Sequence, residues 1–370
     1  MRVNDVDVRE TARGTRLGAT VTWGDGARAE VGMLFRDTPA ALVTTPGDAL
    51  VASCLVGAMA LGEDLSVDAP VSPRLLASVP RITDFFVTWL PRLHRSEVTA
   101  QARAPVPPGS EIGATFSGGI DSFYTILRPR DEPITRLITT LARGRDGIPS
   151  NLQRYTATLD GVAADLGLVI VESTLMVLWR TLIPFREEHG NLHWGPSMIA
   201  PALALGGTLK GFHIAASWDA EPVPAWNSHP DLDPLWSTEN VEVHHDGIVP
   251  REDKVPLVAT SDAAMRALHV CHLPQSAPVN CGRCVKCLGT MVMFHNLGVA
   301  DRAVTFPALE PHAVRRVYVT EPWRTEFERL RGLTSDAVLR SALAYALRRT
   351  ALRRRLRPLG RVLRRLGLLR

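Results

Sequence analysis

Six residues, Ser117-Gly118-Gly119-Ile120-Asp121-Ser122, stand between an apolar run, Ile112–Phe116, and a segment with helical spacing. Two adjacent glycines let a backbone turn with positive φ and approach a ligand closely. Successive N–H groups then converge on one concavity at a helix N-terminus, where geometry and dipole both favour an anion. The hydroxyls of Ser117 and Ser122 can donate to the same phosphate oxygens. Asp121 would repel a bare phosphate, so its presence implies a bound cation or a role in holding the loop. The chain contains no GxxxxGK[ST] string, which disfavours the Walker-type NTPases. A plain Gly-Gly turn is the bland alternative. The place of the string, after a strand where parallel sheets bind their ligands, favours a phosphate loop.

Four of the five cysteines, Cys271, Cys281, Cys284 and Cys287, fall within seventeen residues. In a reducing compartment such clustering implies metal rather than disulfides. Four thiolates complete a tetrahedral zinc site and leave no open position, which makes the site structural. An iron–sulfur cluster is the rival, because Cys-x2-Cys-x2-Cys can hold one. Ligand number favours zinc.

The string SGGIDS resembles the SGGxDS signature of the PP-loop (N-type) ATP pyrophosphatases. The resemblance implies a loop, Ser117 to Ser122, that grips the β,γ-pyrophosphate of ATP with Mg2+. It implies adenylation of a carbonyl oxygen with release of pyrophosphate, and then attack by a nitrogen or sulfur nucleophile. A first Cys followed by CGxCxxC downstream is similar to the 7-cyano-7-deazaguanine synthase family, in which four cysteines bind zinc. Between these motifs, Ser228–Leu235 (SHPDLDPL) is similar to that family's SGYPDCRPEF, with Pro230, Asp231 and Pro234 in register, and Lys254 takes the place of a following lysine. The likeness covers about Ile112 to Gly298. Where the family has Tyr-Pro-Asp-Cys-Arg this chain has His-Pro-Asp-Leu-Asp, so the adenylation chemistry and the zinc site are expected to carry over and the deazapurine substrate is not.

The resemblance makes Asp121 and Lys254 the catalytic candidates, with Lys254 placed to offset charge at the α-phosphate or the adenylated carbonyl. A solvated surface lysine is the alternative there. Thr139 and Thr140, near the end of a strand, occupy the place of adenine and ribose contacts. Ser217 and Asp219 follow another strand at its carboxyl end, where ligand contacts belong. Glu187–Trp194 holds His189 and His193, and together with His244-His245 it could build a second metal site. Histidines in loops are more commonly satisfied surface groups. Trp218, Trp226 and Trp236 suit either a planar ligand or the core.

The elements that must position these residues read as an α/β protein with a doubly wound parallel sheet, a small N-terminal α+β module and a zinc-binding segment. In the first hundred residues, Thr20–Trp23 and Arg28–Phe35 flank an Asp-Gly turn and read as a hairpin. Ala49–Leu61 reads as a buried helix, and Pro73–Leu93 has helical spacing that Pro80 should break. Ala104–Gly109 is a stiff linker, which gives a module at 1–104 and a nucleotide-binding domain at 111–300. There, strands at Ile112–Phe116, Ile134–Leu141, Leu168–Glu172, Phe212–Ala216 and Val241–His244 alternate with helices from Phe123, at Ser150–Leu166 and at Met198–Leu205. A C-terminal extension covers 301–336 and a tail 337–370.

The 370 residues carry a formal net charge of +4, but 337–370 hold eleven arginines and no acid, so the tail is +11 and the remainder −7. The basic pI of about 9.0 is therefore a property of the tail and no sign that the body binds nucleic acid. The tail reads as an amphipathic helix from a Thr334 or Ser335 cap, interrupted at Pro358 and Gly360. It can contact an anionic surface or dock on the oppositely charged body. The uncharged apolar run Ala49 to Gly62 has 14 residues, short of the roughly 20 of a spanning helix. The acidic start lacks the pattern of a signal peptide. A cytoplasmic protein is expected.

These readings point to an ATP-dependent ligase that adenylates a carboxylate or amide oxygen of a small molecule or modified peptide, followed by attack of ammonia or an amine. A homodimer is a compatible assembly. A PP-loop sulfurtransferase acting on tRNA or a small molecule is the second reading. It normally needs a reactive cysteine, and only Cys54 stands outside the cluster. A non-enzymatic zinc or nucleotide-binding module is the third, and it leaves SGGIDS without a purpose.

Overall fold

The computed structural model describes residues 1–24, 26–144, 167–183, 192–217, 223, 225–271 and 279–365. The helix expected at Ser150–Leu166, with Asp219, Trp218 and most of Glu187–Trp194, lies outside them. By internal contacts the chain divides into two units: 1–117 with 121–248, and 118–120 with 249–370.

In the first unit the apolar runs become parallel strands β6 (Glu111–Thr115), β7 (Arg136–Ala142), β8 (Gly167–Ser173), β9 (Leu209–Ala215) and β10 (Glu242–Asp246). Their spatial order is β10-β9-β6-β7-β8. The chain lays β7 and β8 on one side of β6 and then returns to add β9 and β10 on the other. The direction of winding therefore reverses between β6 and β9. These strands are nearly continuous in apolar residues, as burial on both faces requires.

The N-terminal strands extend this same sheet. β2 (Gly14–Trp23) and β3 (Ala27–Arg36) are the expected hairpin, and β1 (Arg2–Thr11) pairs antiparallel with β2. β4 (Leu65–Val71) lies parallel to β1, and β5 (Val98–Ala102) parallel to β4. On the other side β3 runs antiparallel to β8, with Met33 opposite Ser173 and Phe35 opposite Val171. The result is one ten-stranded, mostly parallel α/β sheet. The proline-rich 104–109 stretch lies inside the first unit.

Two helices cover one face. α1 (Pro46–Leu61) is apolar on nearly every side and buried from Gly47 to Met59, as such a helix must be. It packs against α5 (Trp194–Ala204). α4 (Leu175–Leu182) presents Trp179 to it: a Cβ on Gly57 would come within 2.8 Å of the indole ring. The indole N–H donates to the Ser53 carbonyl at 2.6 Å. α2 (Pro73–Trp89) is capped by Ser72, whose hydroxyl accepts from the Leu75 N–H at 3.0 Å. Pro80 does not break α2 as expected. It sits on the exposed flank, where water can solvate the carbonyl that its missing N–H leaves free.

The second unit is helical: α6 (Arg251–Val258), α7 (Asp262–Ala267), α8 (Val285–Asn296), α9 (Pro311–Arg316), α10 (Glu321–Leu333) and α11 (Ala337–Arg365). Leu339, Ala342, Leu343 and Ala346 bury one stripe of α11, which packs on α9 and α10. The cap of α11 is Asp336 rather than Thr334 or Ser335, its carboxylate accepting from the N–H of Val338 at 2.8 Å and of Leu339 at 3.1 Å. The helix continues through Pro358 and Gly360, against expectation. Among the described residues no helix is long and apolar enough to cross a membrane.

Candidate functional site

The glycine loop begins where β6 ends. The Phe116 N–H still pairs with the Ile138 carbonyl of β7 at 2.9 Å, and Ser117 is the first exposed residue. Gly118 takes φ 67°, the left-handed region that favours glycine. Its carbonyl accepts the His269 N–H at 2.8 Å. α3 (Ile120–Leu127) starts three residues before the sequence spacing suggested, so Asp121 and Ser122 both lie in its first turn. Acidic residues are stabilised at that end of a helix. Ser122 is buried, and its hydroxyl oxygen accepts the Ser117 N–H at 3.0 Å and lies 2.9 Å from the Ser117 hydroxyl oxygen. This pair closes Ser117 to Ser122 into a ring held by its own serines. Phe116 and Phe123 pack edge to face beneath it, with centroids 5.1 Å apart.

Three of the expected contacts lie along one edge of the sheet. Ser117 follows β6, Thr139 lies midway along β7 and level with the end of β6, and Ser217 follows β9, an exposed residue. These strands are immediate neighbours with parallel carboxyl ends. The hydroxyl of Thr139 donates to the Phe116 carbonyl at 2.6 Å, so it holds the strand that leads into the loop. Thr140 points to the opposite side of the sheet, and its buried hydroxyl has no partner among the described residues. Lys254 lies on α6 of the second unit and is buried, not a solvated surface lysine.

The cysteine cluster is assembled within the second unit. Cys271 follows α7, while Cys281 and Cys284 lead into α8, which carries Cys287. All four Sγ atoms lie within 4.8 Å of one another, and Cys281 Sγ is 3.8 Å from Cys287 Sγ. Zn–S bonds of about 2.3 Å set a tetrahedral edge of about 3.8 Å, so this set can hold a metal such as zinc. Sulfur atoms accept backbone N–H groups: Cys281 from Arg283 at 3.4 Å and Cys284 at 3.2 Å, and Cys284 from Cys287 at 3.4 Å. Such bonds favour thiolate. Gly282 takes φ 63°, and a Cβ there would meet Pro307 at 2.3 Å. The Cys284 neighbour and burial push the Cys287 thiol up, and burial raises Cys281. A divalent cation reverses that balance by neutralising the gathered sulfurs.

Asn280, which the sequence reading passed over, ties this cluster together. Its buried amide oxygen accepts from Val270 at 2.9 Å and Cys271 at 3.1 Å. Its amide nitrogen donates to the Leu268 carbonyl at 2.8 Å and the Thr305 hydroxyl at 3.0 Å. No second metal group appears among the described residues. His245 instead bonds Asp233 at 2.7 Å, and His244 stacks on His213 with centroids 5.0 Å apart. Of the SHPDLDPL segment, Asp231 is exposed, whereas Asp233 is buried and bonded to the Ser228 hydroxyl at 2.7 Å. Trp236 is core; Trp226 stacks obliquely on Trp89 with centroids 6.0 Å apart.

Comparison with known proteins leaves the site to speak through its own geometry: no family model, no curated protein and no solved structure matches the chain.

Proposed function

We propose that this chain is an ATP-dependent adenylating ligase of the PP-loop type, with a doubly wound nucleotide-binding sheet and a structural zinc. One observation carries the reading. The SGGIDS loop leaves β6 beside the point where strand order reverses, which is where open α/β sheets hold nucleotides.

In this reading the N–H groups around Gly118 and Gly119 receive the β,γ-phosphates, and Ser117 and Ser122 supply hydroxyls. Asp121 would hold Mg2+, which supplies charge neutralisation for the departing pyrophosphate. A carboxylate or amide oxygen of the substrate attacks the α-phosphate, pyrophosphate leaves, and ammonia or an amine then displaces AMP. Positioning and fixed charge supply most of the rate in such a step. Lys254, a buried cation, is the candidate for offsetting charge on the α-phosphate. The four cysteines hold zinc as a structural clamp.

Sulfur transfer is the weaker reading. Outside the cluster only Cys54 remains, wholly buried in α1 with its thiol pushed up to about 12 by burial, and a thiolate is the form that carries sulfur. The test is conversion of ATP to AMP and pyrophosphate against a panel of carboxylic acids and amides with an ammonium donor. AMP formation that depends on both acid and the loop residues supports the ligase. ATP hydrolysis to ADP, or no cleavage with any acid, sinks it.

A further inference from the structure

A second cluster of charge lies at the same edge of the sheet, two strands away from the glycine loop. Glu172, near the end of β8, has a side chain with no exposure. It accepts from Arg13, from Arg36 Nε at 2.6 Å and from Arg143 Nη1 at 2.7 Å. Arg13 comes from the β1–β2 turn, Arg36 from the end of β3 and Arg143 from just after β7. The Arg143 N–H also bonds the Ser173 carbonyl at 2.9 Å, which fixes its place beside β8.

The charges do not cancel. One buried carboxylate needs one cation, and here it gathers three. Among the described residues no other carboxylate pairs with Arg13, Arg36 or Arg143, so two positive charges stand in excess. Each guanidinium carries five N–H donors, and a single carboxylate occupies only part of that set. The three side chains are 49%, 27% and 37% exposed, so their outer donors reach solvent rather than packed protein. Arg13 and Arg143 reach it at a cavity of about 410 Å³, which Arg16, Glu30, Gly32 and Thr174 also help to line. Crowding like charges in this way is costly unless an anion joins them. Planar guanidinium forks held on a rigid carboxylate are preorganised for a carboxylate or phosphate.

We propose that Arg13 and Arg143, held by Glu172, form a binding subsite for the carboxylate or phosphate group of a small molecule. The subsite stands on its own residues and does not need the glycine loop to bind ATP. β6 and β8 are two strand spacings apart, about 10 Å, so the ligand group is distinct from a phosphate held at Gly118.

Calorimetric titration of the full chain with sodium malonate and with inorganic phosphate tests the proposal and separates the two chemistries. The double variant Arg13→Gln, Arg143→Gln should weaken whichever probe binds by about tenfold or more. The loop variant Ser117→Ala, Ser122→Ala should leave that binding unchanged. No binding of either probe, or binding lost with the loop serines and kept without the arginines, overturns the proposal. A measurement on the unaltered protein covers the case in which the variants fail to fold. Malonate or phosphate should slow phenylglyoxal modification of Arg13 and Arg143, read by peptide mass spectrometry, and leave exposed Arg81 unaffected. Equal modification with and without the anions overturns it too.

Discussion

The side-chain amide of Asn280 accepts the backbone N–H of Cys271 at 3.1 Å, and so fastens the first cysteine to the three that follow ten and more residues later. A thiol ten positions away along the chain is held by a group adjacent to its partners, so backbone hydrogen bonds help to position the set. Asn280→Ala leaves buried N–H groups without acceptors, at about 1–3 kcal/mol each. The expected result is a loss of about 2–4 kcal/mol in urea unfolding and faster release of metal to a chromogenic chelator. A variant that holds its metal as long as the native chain would show the clamp to be idle.

Metal analysis should find about one zinc per chain. Cys284→Ser removes a sulfur ligand while leaving a hydroxyl to accept the Cys287 N–H, and should release the metal, whereas Cys54→Ser should retain it. Because the Cys281 and Cys287 thiols are raised, binding must expel protons, and metal retention should fall as pH falls. Iron, with visible absorption in place of zinc, would exchange a structural clamp for a cluster.

Gly118→Ala places a Cβ on a backbone at φ 67°, a strain of about 1–2 kcal/mol, with the N–H groups of the loop shifted in consequence. ATP-dependent AMP formation should drop by about tenfold or more, with the melting transition displaced only slightly. Asp121→Asn should lower activity in a way that added Mg2+ partly restores. Unaltered turnover in Gly118→Ala would count heavily against the proposed ligase activity.

Burial, Arg130 and His244 hold the His213 imidazole down at about 4, and burial with Arg180 holds His193 at about 4. Both rings fold neutral, while their unfolded counterparts take up a proton near 6.5. The unfolded chain therefore binds more protons between pH 6.5 and 4, and stability should fall as pH falls through that window. Partial exposure of His213 trims the effect to about 2 kcal/mol for that ring. Urea midpoints at pH 7, 5.5 and 4.5 read it out. His213→Gln should flatten the slope, and an unchanged slope would assign the loss to other groups.

The strands of the parallel part of the sheet were legible because burial on both faces makes each a short apolar run. The cysteines were legible because metal needs its ligands in a fixed local pattern. β1 was not, for a physical reason. Asp5 takes φ 53° at a register shift between Asn4 and Asp7, and this bulge breaks the alternation that marks a strand. Asn280 and Glu172 were hidden because their partners are brought near only by the fold. Arg13 is 159 positions from Glu172, and nothing in either neighbourhood announces the other. Lys254 stood in a charged run that reads as surface, yet it is buried.

The antiparallel seam between Met33–Phe35 and Val171–Ser173 makes the leading hundred residues a flank for the strands behind them. A truncated chain beginning near residue 105 would bare the β8 border as an open hydrogen-bonding row. It would also strip Glu172 of Arg13 and Arg36, leaving Arg143 as its one cationic partner among the described residues. Such a fragment should self-associate in solution instead of behaving as a minimal catalytic piece, so an evolving lineage could not shed the front segment without first closing that border by other means.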